Sequence, residues 1–302
     1  METERAASAR VLTETVDAVL REAETLLVGA RGIDSPRREA RDLLAALLEQ
    51  PRSWSALNGA QPLDGSARLA LLDAAARRAA GAPLAYAAGR AAFRHLTLDV
   101  DERVLIPRPE TEVLVDLVLE RSGDGGIAVD VGTGSGCIAL SLASEGRFAS
   151  VIGTDVSLDA LAVAGRNAAR CAASLRAPIE LRHGSLLDPI RGTLVRAVVS
   201  NPPYIATDEA PSLPAAVRDW EPPLALYSSA KGMDVTSRIV QQAPDVLEDG
   251  GLLALEVDSR RAALVAEAIA ANGAYEDISV KLDLTGRERF VLARRRRRER
   301  GA

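Results

Sequence analysis

From Leu12 to about residue 82, apolar side chains recur every three or four positions, the spacing that puts them on one side of a helix. Leu12, Val16, Val19, Leu20, Ala23 and Leu27 form one such stripe, and Ala40, Leu43, Leu44, Leu47 and Leu48 form a stricter one. Asp34 or Ser35 with Pro36 marks the start of the second helix. Ser66 opens another, carrying Leu69, Leu72 and Ala76 toward a stop near Gly81 and Pro83. Residues 1–85 are therefore expected to be a small helical domain. From Tyr86 to Pro109 the period changes to two, with Leu96, Leu98 and Val100 on one face, and predicts a hairpin linker over residues 86–109.

Beyond the linker, short apolar runs alternate with helical patterns, as in a doubly wound α/β sheet. The expected strands are Ile127 to Val131, Ser150 to Thr154, Ile179 to His183, Ala197 to Ser200 and Leu252 to Val257. Two more, Ala274 to Lys281 and Arg289 to Leu292, flank a short Asp283-to-Glu288 turn and are expected to pair antiparallel. The α/β domain spans residues 110–294, leaving 295–302 as a basic tail. In such sheets ligands bind beyond the carboxyl ends of the strands, and the candidate chemistry gathers at those ends.

The first of these strands runs into Gly132-Thr133-Gly134-Ser135-Gly136 and then a helix-like segment from Cys137. Glycines permit close backbone approach, and the helix N-terminus offers N–H groups and partial positive charge. The dinucleotide pattern Gly-x-Gly-x-x-Gly is broken, because the third glycine comes one residue early and Cys137 takes its place. Asp155, after the second strand, can accept hydrogen bonds from both hydroxyls of a ribose. Asp130, two residues before the first glycine, can face a cationic amino group or ordered water. Both fit a nucleoside that carries an amino acid.

The run Ala197 to Ile205 ends a β-branched strand in Asn201-Pro202-Pro203-Tyr204. Two prolines stiffen the loop and donate no N–H, so its carbonyls stay free to accept. With the Asn201 side-chain carbonyl they can grip both hydrogens of an NH2 group, while Tyr204 offers a flat face to a planar amide or base. The residues by themselves point to chemistry on a planar NH2 group and leave open whether it belongs to an amide or a base.

In this order, Asp130-Val131-Gly132-Thr133-Gly134-Ser135-Gly136, Asp155 and Asn201-Pro202-Pro203-Tyr204 resemble an amino-methylating, class I S-adenosylmethionine-dependent methyltransferase. The chain more narrowly resembles the peptide chain release factor glutamine methyltransferases, the PrmC/HemK family. That match rests on Val104 to Glu112, Trp220-Glu221-Pro222 with Ala225-Leu226, and Gly286-Arg287-Glu288-Arg289. The resemblance implies a Rossmann-like catalytic domain and a helical domain that helps grip the substrate. It implies S-adenosyl-L-methionine as cofactor, held by Asp130, Gly132, Thr133, Gly134, Ser135, Gly136, Asp155, Ser185, Leu186 and Asn201. It implies Asn201, Pro202, Pro203 and Tyr204 as the catalytic loop, with Arg108 and Glu110 positioning substrate. The implied substrate is the glutamine of the Gly-Gly-Gln loop in class 1 release factors, methylated on its side-chain amide nitrogen. The chain departs from the family twice, with Gly184-Ser185 where relatives carry Gly-Asp near the adenine, and with Val257-Asp258 after Glu256 where they tend to have glycine.

Charge and composition narrow the alternatives. With 302 residues, 47% of them hydrophobic, the chain can bury a sizeable core. A net charge of −5 disfavours a dedicated nucleic-acid binder, so stable nucleic-acid binding is not expected, although Arg294 to Arg298 form a basic run expected to be solvated. The first residues lack a signal pattern and no apolar run has membrane-spanning length, so a cytoplasmic protein that engages no membrane is expected. A monomer is expected, although no feature of the chain determines it. Cys137 and Cys171, with His95 and His183, make neither a disulfide framework nor a metal site. A ribosomal-protein glutamine methyltransferase is the first alternative, a nucleic-acid adenine methyltransferase the second, and a non-catalytic cofactor-binding protein the last.

Overall fold

The computed structural model describes residues 14–297. Leu12 and Arg298, named above, lie outside the described residues. The chain divides into two compact units after Gly89. No helix among the described residues is long and apolar enough to cross a membrane.

The first unit is helical, with helices Val16–Leu27, Pro36–Leu48, Gly65–Ala79 and Leu84–Ala88 and a single turn at Trp54–Leu57. The Thr15 hydroxyl caps the first by accepting from Ala18 N, and Pro36 opens the second. Val16, Val19, Leu20, Ala23 and Leu27 are buried, as are Ala40, Leu43 and Leu44. The helix after Asp64 turns inward a face rotated from the expected Leu69, Leu72 and Ala76 stripe: Leu71, Ala74 and Ala75 are buried and Leu69 is 66% exposed. That helix is apolar on two sides, and the alanine-rich side allows the closer backbone approach. The last helix ends on Gly89 at φ +67°, so the expected start of the hairpin at Tyr86 moves to Arg90, Tyr86 being a buried helical residue.

The second unit opens with an antiparallel hairpin, β1 (Arg90–Phe93) and β2 (Leu96–Asp99). Leu96, Leu98 and Val100 are buried on one face. The main sheet contains β3 (Ile127–Val131), β4 (Ser150–Asp155), β5 (Ile179–His183), β6 (Val195–Ser200), β7 (Leu247–Glu256), β8 (Tyr275–Leu282) and β9 (Glu288–Arg295). Its order is β5-β4-β3-β6-β7-β9-β8, parallel from β5 through β7, with β9 antiparallel to both neighbours. Helices cover both faces, so the central strands are apolar on each side: Ala128 packs into one core and Val129 and Val131 into the other. The chain proceeds outward through β4 and β5 and then returns to place β6 on the other side of β3. Beyond the carboxyl ends of β3 and β6 this reversal opens a crevice.

The arginine run is part of the fold rather than a solvated tail as far as Arg296. Arg295 ends β9, is buried, and donates from Nη1 to Leu247 O at 2.6 Å. Arg294 donates to Gly250 O and Arg121 O, and Arg296 to Tyr275 O. The long apolar stems let the charged heads reach backbone carbonyls of β7, β8 and the helix Pro109–Arg121.

Candidate active site

The glycine loop leaves β3 and is pinned to its neighbour, with Gly132 N and Thr133 N both donating to Thr154 O, at 2.8 and 2.9 Å. Gly132 and Gly134 have φ of +73° and +55°, and a Cβ built on either meets no heavy atom within 4 Å. Open space therefore lies against the loop backbone, followed by the N-terminus of helix Cys137–Glu145. Thr133 and Ser135 are buried within the loop, and Gly136 caps the helix.

Asp130 is fully buried behind this loop rather than facing the crevice. Its Oδ2 accepts from Thr133 Oγ1 at 2.6 Å and Ala139 N at 3.2 Å, while Oδ1 has no partner. Burial pushes its carboxyl up to about 7, opposed by those two bonds. Asp155 ends β4 at the crevice. Its Oδ2 accepts from Gly134 N and its Oδ1 from Ser157 N, both at 2.9 Å. An ionised carboxylate has about four acceptor positions, so one on each oxygen remains for a ligand hydroxyl.

A cleft of about 520 Å³ is lined by Gly132, Gly134, Asp155, Ser185, Leu186 and Asn201, among others. Leu186 sits at φ +51° with its carbonyl accepting from Thr154 Oγ1 at 2.9 Å, which fixes the wall beyond β5. The glycine cradle, the half-used carboxylate and the cleft size fit the nucleoside and amino-acid parts of S-adenosyl-L-methionine.

A second cavity, about 310 Å³, is lined by Arg108, Tyr204, Glu209, Asp258, Arg260 and Arg289 among others. Asn201, Pro202 and Pro203 line both cavities. The loop leaves β6 through Ser200, whose hydroxyl donates to Val131 O at 2.6 Å, and is held beyond by Ile205 N donating to Leu226 O and Ser228 N to Ile205 O. Among the described residues no donor takes the Pro202 carbonyl. Burial pushes the Tyr204 hydroxyl up to about 12, with the Glu256 charge adding to it, so this group stays protonated.

Asn201 Nδ2 lies 3.1 Å from Thr111 Oγ1, and Thr111 Oγ1 lies 2.8 Å from Glu256 Oε2. Thr111 is in the first turns of helix Pro109–Arg121 and Glu256 ends β7. Arg108 caps that helix and forks onto buried Glu221, 2.7 Å from its Oε2; burial pushes the Glu221 carboxyl up and Arg108 opposes this. Glu110 stays in the first helical turn and lines neither cavity. The sequence reading singled out no role for Thr111, Glu221, Glu256 or Arg289. A lone carboxylate closing the apolar run Leu252-Leu253-Ala254-Leu255 was the available signal for Glu256. Among the described residues no three His, Cys, Asp or Glu side chains gather as a metal would require.

The arrangement joins a ligand cleft and a polar cavity through a stiff loop rich in acceptors, suited to holding N–H groups of one molecule against another. Comparison with known proteins agrees with a transfer enzyme. Residues 18–89 match the PrmC N-terminal domain and residues 108–215 the methyltransferase small domain. A protein of Moorella thermoacetica named release factor glutamine methyltransferase is 43% identical over 273 residues, covering 89% of this chain and 95% of its own length. A protein of the same name from Deinococcus radiodurans is 39% identical over 266 residues, covering 87% and 93%. Among solved structures, a methyltransferase from Pyrococcus furiosus shares the fold, with a TM-score of 0.50 over 67% of this chain and 90% of that one at 18% identity.

Proposed function

The chain belongs to the release factor glutamine methyltransferases, and on that premise we propose that it methylates the side-chain amide nitrogen, N5, of the glutamine in the Gly-Gly-Gln loop of class 1 peptide chain release factors. The observation that carries this reading is the sharing of Asn201, Pro202 and Pro203 by the two cavities. Glutamine amide in the smaller cavity meets the contents of the larger one across that loop. In the larger cleft Gly132, Gly134, Asp155, Ser185, Leu186 and Asn201 hold the cofactor, and buried Asp130, Thr133, Ser135 and Gly136 keep the loop in shape. S-adenosyl-L-methionine, when bound there, supplies an electrophilic methyl group.

An amide nitrogen is a poor nucleophile because its lone pair is delocalised, and the loop assists by orientation and electrostatics. Asn201 Oδ1 and the Pro202 carbonyl accept the two N–H bonds and favour the positive charge that develops on nitrogen. Tyr204, held protonated, acts through its ring face and fixes the amide plane. Placement of this kind supplies several of the ~7 to 11 kcal/mol available from a near-attack geometry. The proton leaves to water afterwards. On this reading Arg108, held by Glu221, borders the cavity that takes the substrate, the helical unit ending at Gly89 grips the release factor, and the enzyme works in the cytoplasm beside the translation machinery.

The test is transfer of labelled methyl to purified release factor, beside a variant with alanine for the glutamine of its Gly-Gly-Gln loop, ribosomal protein, and unmethylated DNA. Label on the unaltered factor alone is expected. Label on ribosomal protein or DNA instead overturns the reading in favour of that acceptor.

A further inference from the structure

Building on the amide-methylation reading above, we propose that Thr111 and Glu256 are positioning residues that dictate which end of the Asn201 amide faces the reacting nitrogen. Asn201 follows β6, Thr111 comes from helix Pro109–Arg121 and Glu256 from the end of β7, so three separate elements converge on one chain of hydrogen bonds. Both supporting side chains are only 2% exposed, and water does not compete for their bonds.

The polarity of the chain follows from counting protons. An ionised carboxylate only accepts, so the single Thr111 hydroxyl proton goes to Glu256 across 2.8 Å. The Thr111 oxygen is then left with lone pairs alone toward Asn201. The atom 3.1 Å away must therefore be the donating Nδ2, which makes Oδ1 the end free to accept from substrate. An asparagine amide is nearly symmetrical in shape, and nothing steric prevents its rotation by half a turn. Turned over, it would present NH2 to the substrate's own NH2, donor against donor, and would lose the interaction that favours charge on the attacking nitrogen.

This device works while Glu256 is ionised. Besides Thr111, the groups acting on that carboxyl are Arg108 and Glu110 at the start of the helix and Arg289 on β9, while Tyr204 on the loop and Cys137 at the glycine-loop helix feel its charge and stay neutral. Burial dominates and pushes Glu256 up to about 7, with the Thr111 bond and Arg289 opposing. Once protonated, the acid can donate to Thr111 Oγ1, the Thr111 proton swings to Asn201, and the amide inverts. Turnover at saturating cofactor thus falls as pH falls through about 7. Asp130 titrates in the same range but lies behind the cofactor loop, so its influence enters through cofactor affinity and vanishes at saturation.

The experiment measures kcat and both KM values for methyl transfer to the release factor, from about pH 6 to about pH 9, with calorimetric cofactor affinity for each variant. Thr111→Val keeps the shape and removes the bonds. It is expected to lower kcat about 10- to 100-fold, short of the ~10² to 10³ lost with a direct transition-state contact, with cofactor affinity within about 2-fold. Thr111→Ser recovers most of that loss. Glu256→Gln can support either polarity, so it loses less than Thr111→Val at high pH and loses the acid limb of the kcat profile. Wild-type kcat in Thr111→Val, or an unchanged acid limb in Glu256→Gln, overturns the relay. Should Thr111→Val bind no cofactor, Glu256→Gln and Thr111→Ser decide by the same limb. A wild-type enzyme that methylates no release-factor glutamine overturns the underlying reading instead.

Discussion

At the residue scale, Asn201 and Asp155 both border the cofactor cleft but are tied into it differently, and their substitutions should separate. Asn201 contributes to both cavities and is held through a side chain, Thr111. Asn201→Ala should lower kcat at least about 100-fold while calorimetry finds cofactor affinity within a few-fold, since on the proposed mechanism one transition-state acceptor is lost. Asp155 holds the N–H groups of Gly134 and Ser157 besides facing the cleft. Asp155→Ala frees both and removes a ligand acceptor, so cofactor affinity should fall first, by about 10-fold or more. Near-normal turnover in Asn201→Ala would discard the amide clamp. Asp130 gives a prediction of a different kind. Its folded pKa, about 7, lies above the ordinary 3.8, so the folded chain holds the proton more tightly than the unfolded chain. Its contribution to stability therefore improves as pH falls from about 7 toward 4 and is lost again as pH rises. Relative to Asp130→Asn, the wild type should gain about 1 to 3 kcal/mol in urea unfolding between pH 8 and pH 5. A difference that stays flat with pH would mean the carboxyl does not titrate there.

At the scale of elements, what was legible from the chain was whatever a local period or a local loop encodes. The seven strands of the main sheet, the glycine turn and the Asn-Pro-Pro-Tyr loop all overlap the expected stretches, with β7 starting five residues early at Leu247 and β9 running three residues past Leu292, because a buried parallel strand is an apolar run and a ligand loop is broken by glycine or proline. What was not legible depends on partners distant in sequence. The inward face of helix Gly65–Ala79, with Leu71, Ala74 and Ala75, was chosen by its neighbours, and the stripe of Leu69, Leu72 and Ala76 pointed to another side. Arg294 to Arg296 read as a charged end until the carbonyls of Gly250, Leu247 and Tyr275 meet them. The Thr111 to Glu256 contact spans 145 residues. Asn167 is the same case within helix Leu158–Arg170. Fully buried, it accepts from Asp99 N at 2.7 Å and donates to Asp99 O at 3.0 Å and to Ser135 O at 2.8 Å, tying β2 to the glycine loop. Asn167→Ala would strand those groups, at about 2 to 4 kcal/mol. Thermal unfolding should shift downward, and because Ser135 belongs to the loop, cofactor affinity should weaken alongside. Gly232 is a tighter constraint, at φ +83° with any added Cβ only 2.2 Å from Tyr204 O. Gly232→Ala should therefore push the loop proposed to be catalytic out of place and cut kcat more than it lowers the melting temperature.

At the scale of the whole molecule, charge favours the proposed amide over a flipped base as the occupant of the second cavity. Both present a planar NH2 group, and the loop alone does not distinguish them. A nucleic-acid enzyme draws much of its affinity from neutralising phosphates, and a protein making 6 to 10 such contacts loses roughly 10³- to 10⁵-fold in affinity between 50 and 200 mM salt. This chain has a net charge of −5, and the arginines lining the cavity are already paired: Arg108 with Glu221, Arg260 with Asp258 and Glu209, and Arg289 with Asp283. An arginine committed to a carboxylate is a weak anchor for phosphate, because taking up the second partner means breaking with the first. The rate of methyl transfer to the release factor should accordingly change by less than about 10-fold over that salt range, and an excess of single-stranded or duplex DNA should not compete. A slope as steep as a phosphate binder's, with DNA competing at low salt, would mean that these arginines exchange their carboxylates for phosphates and that the loop holds a base.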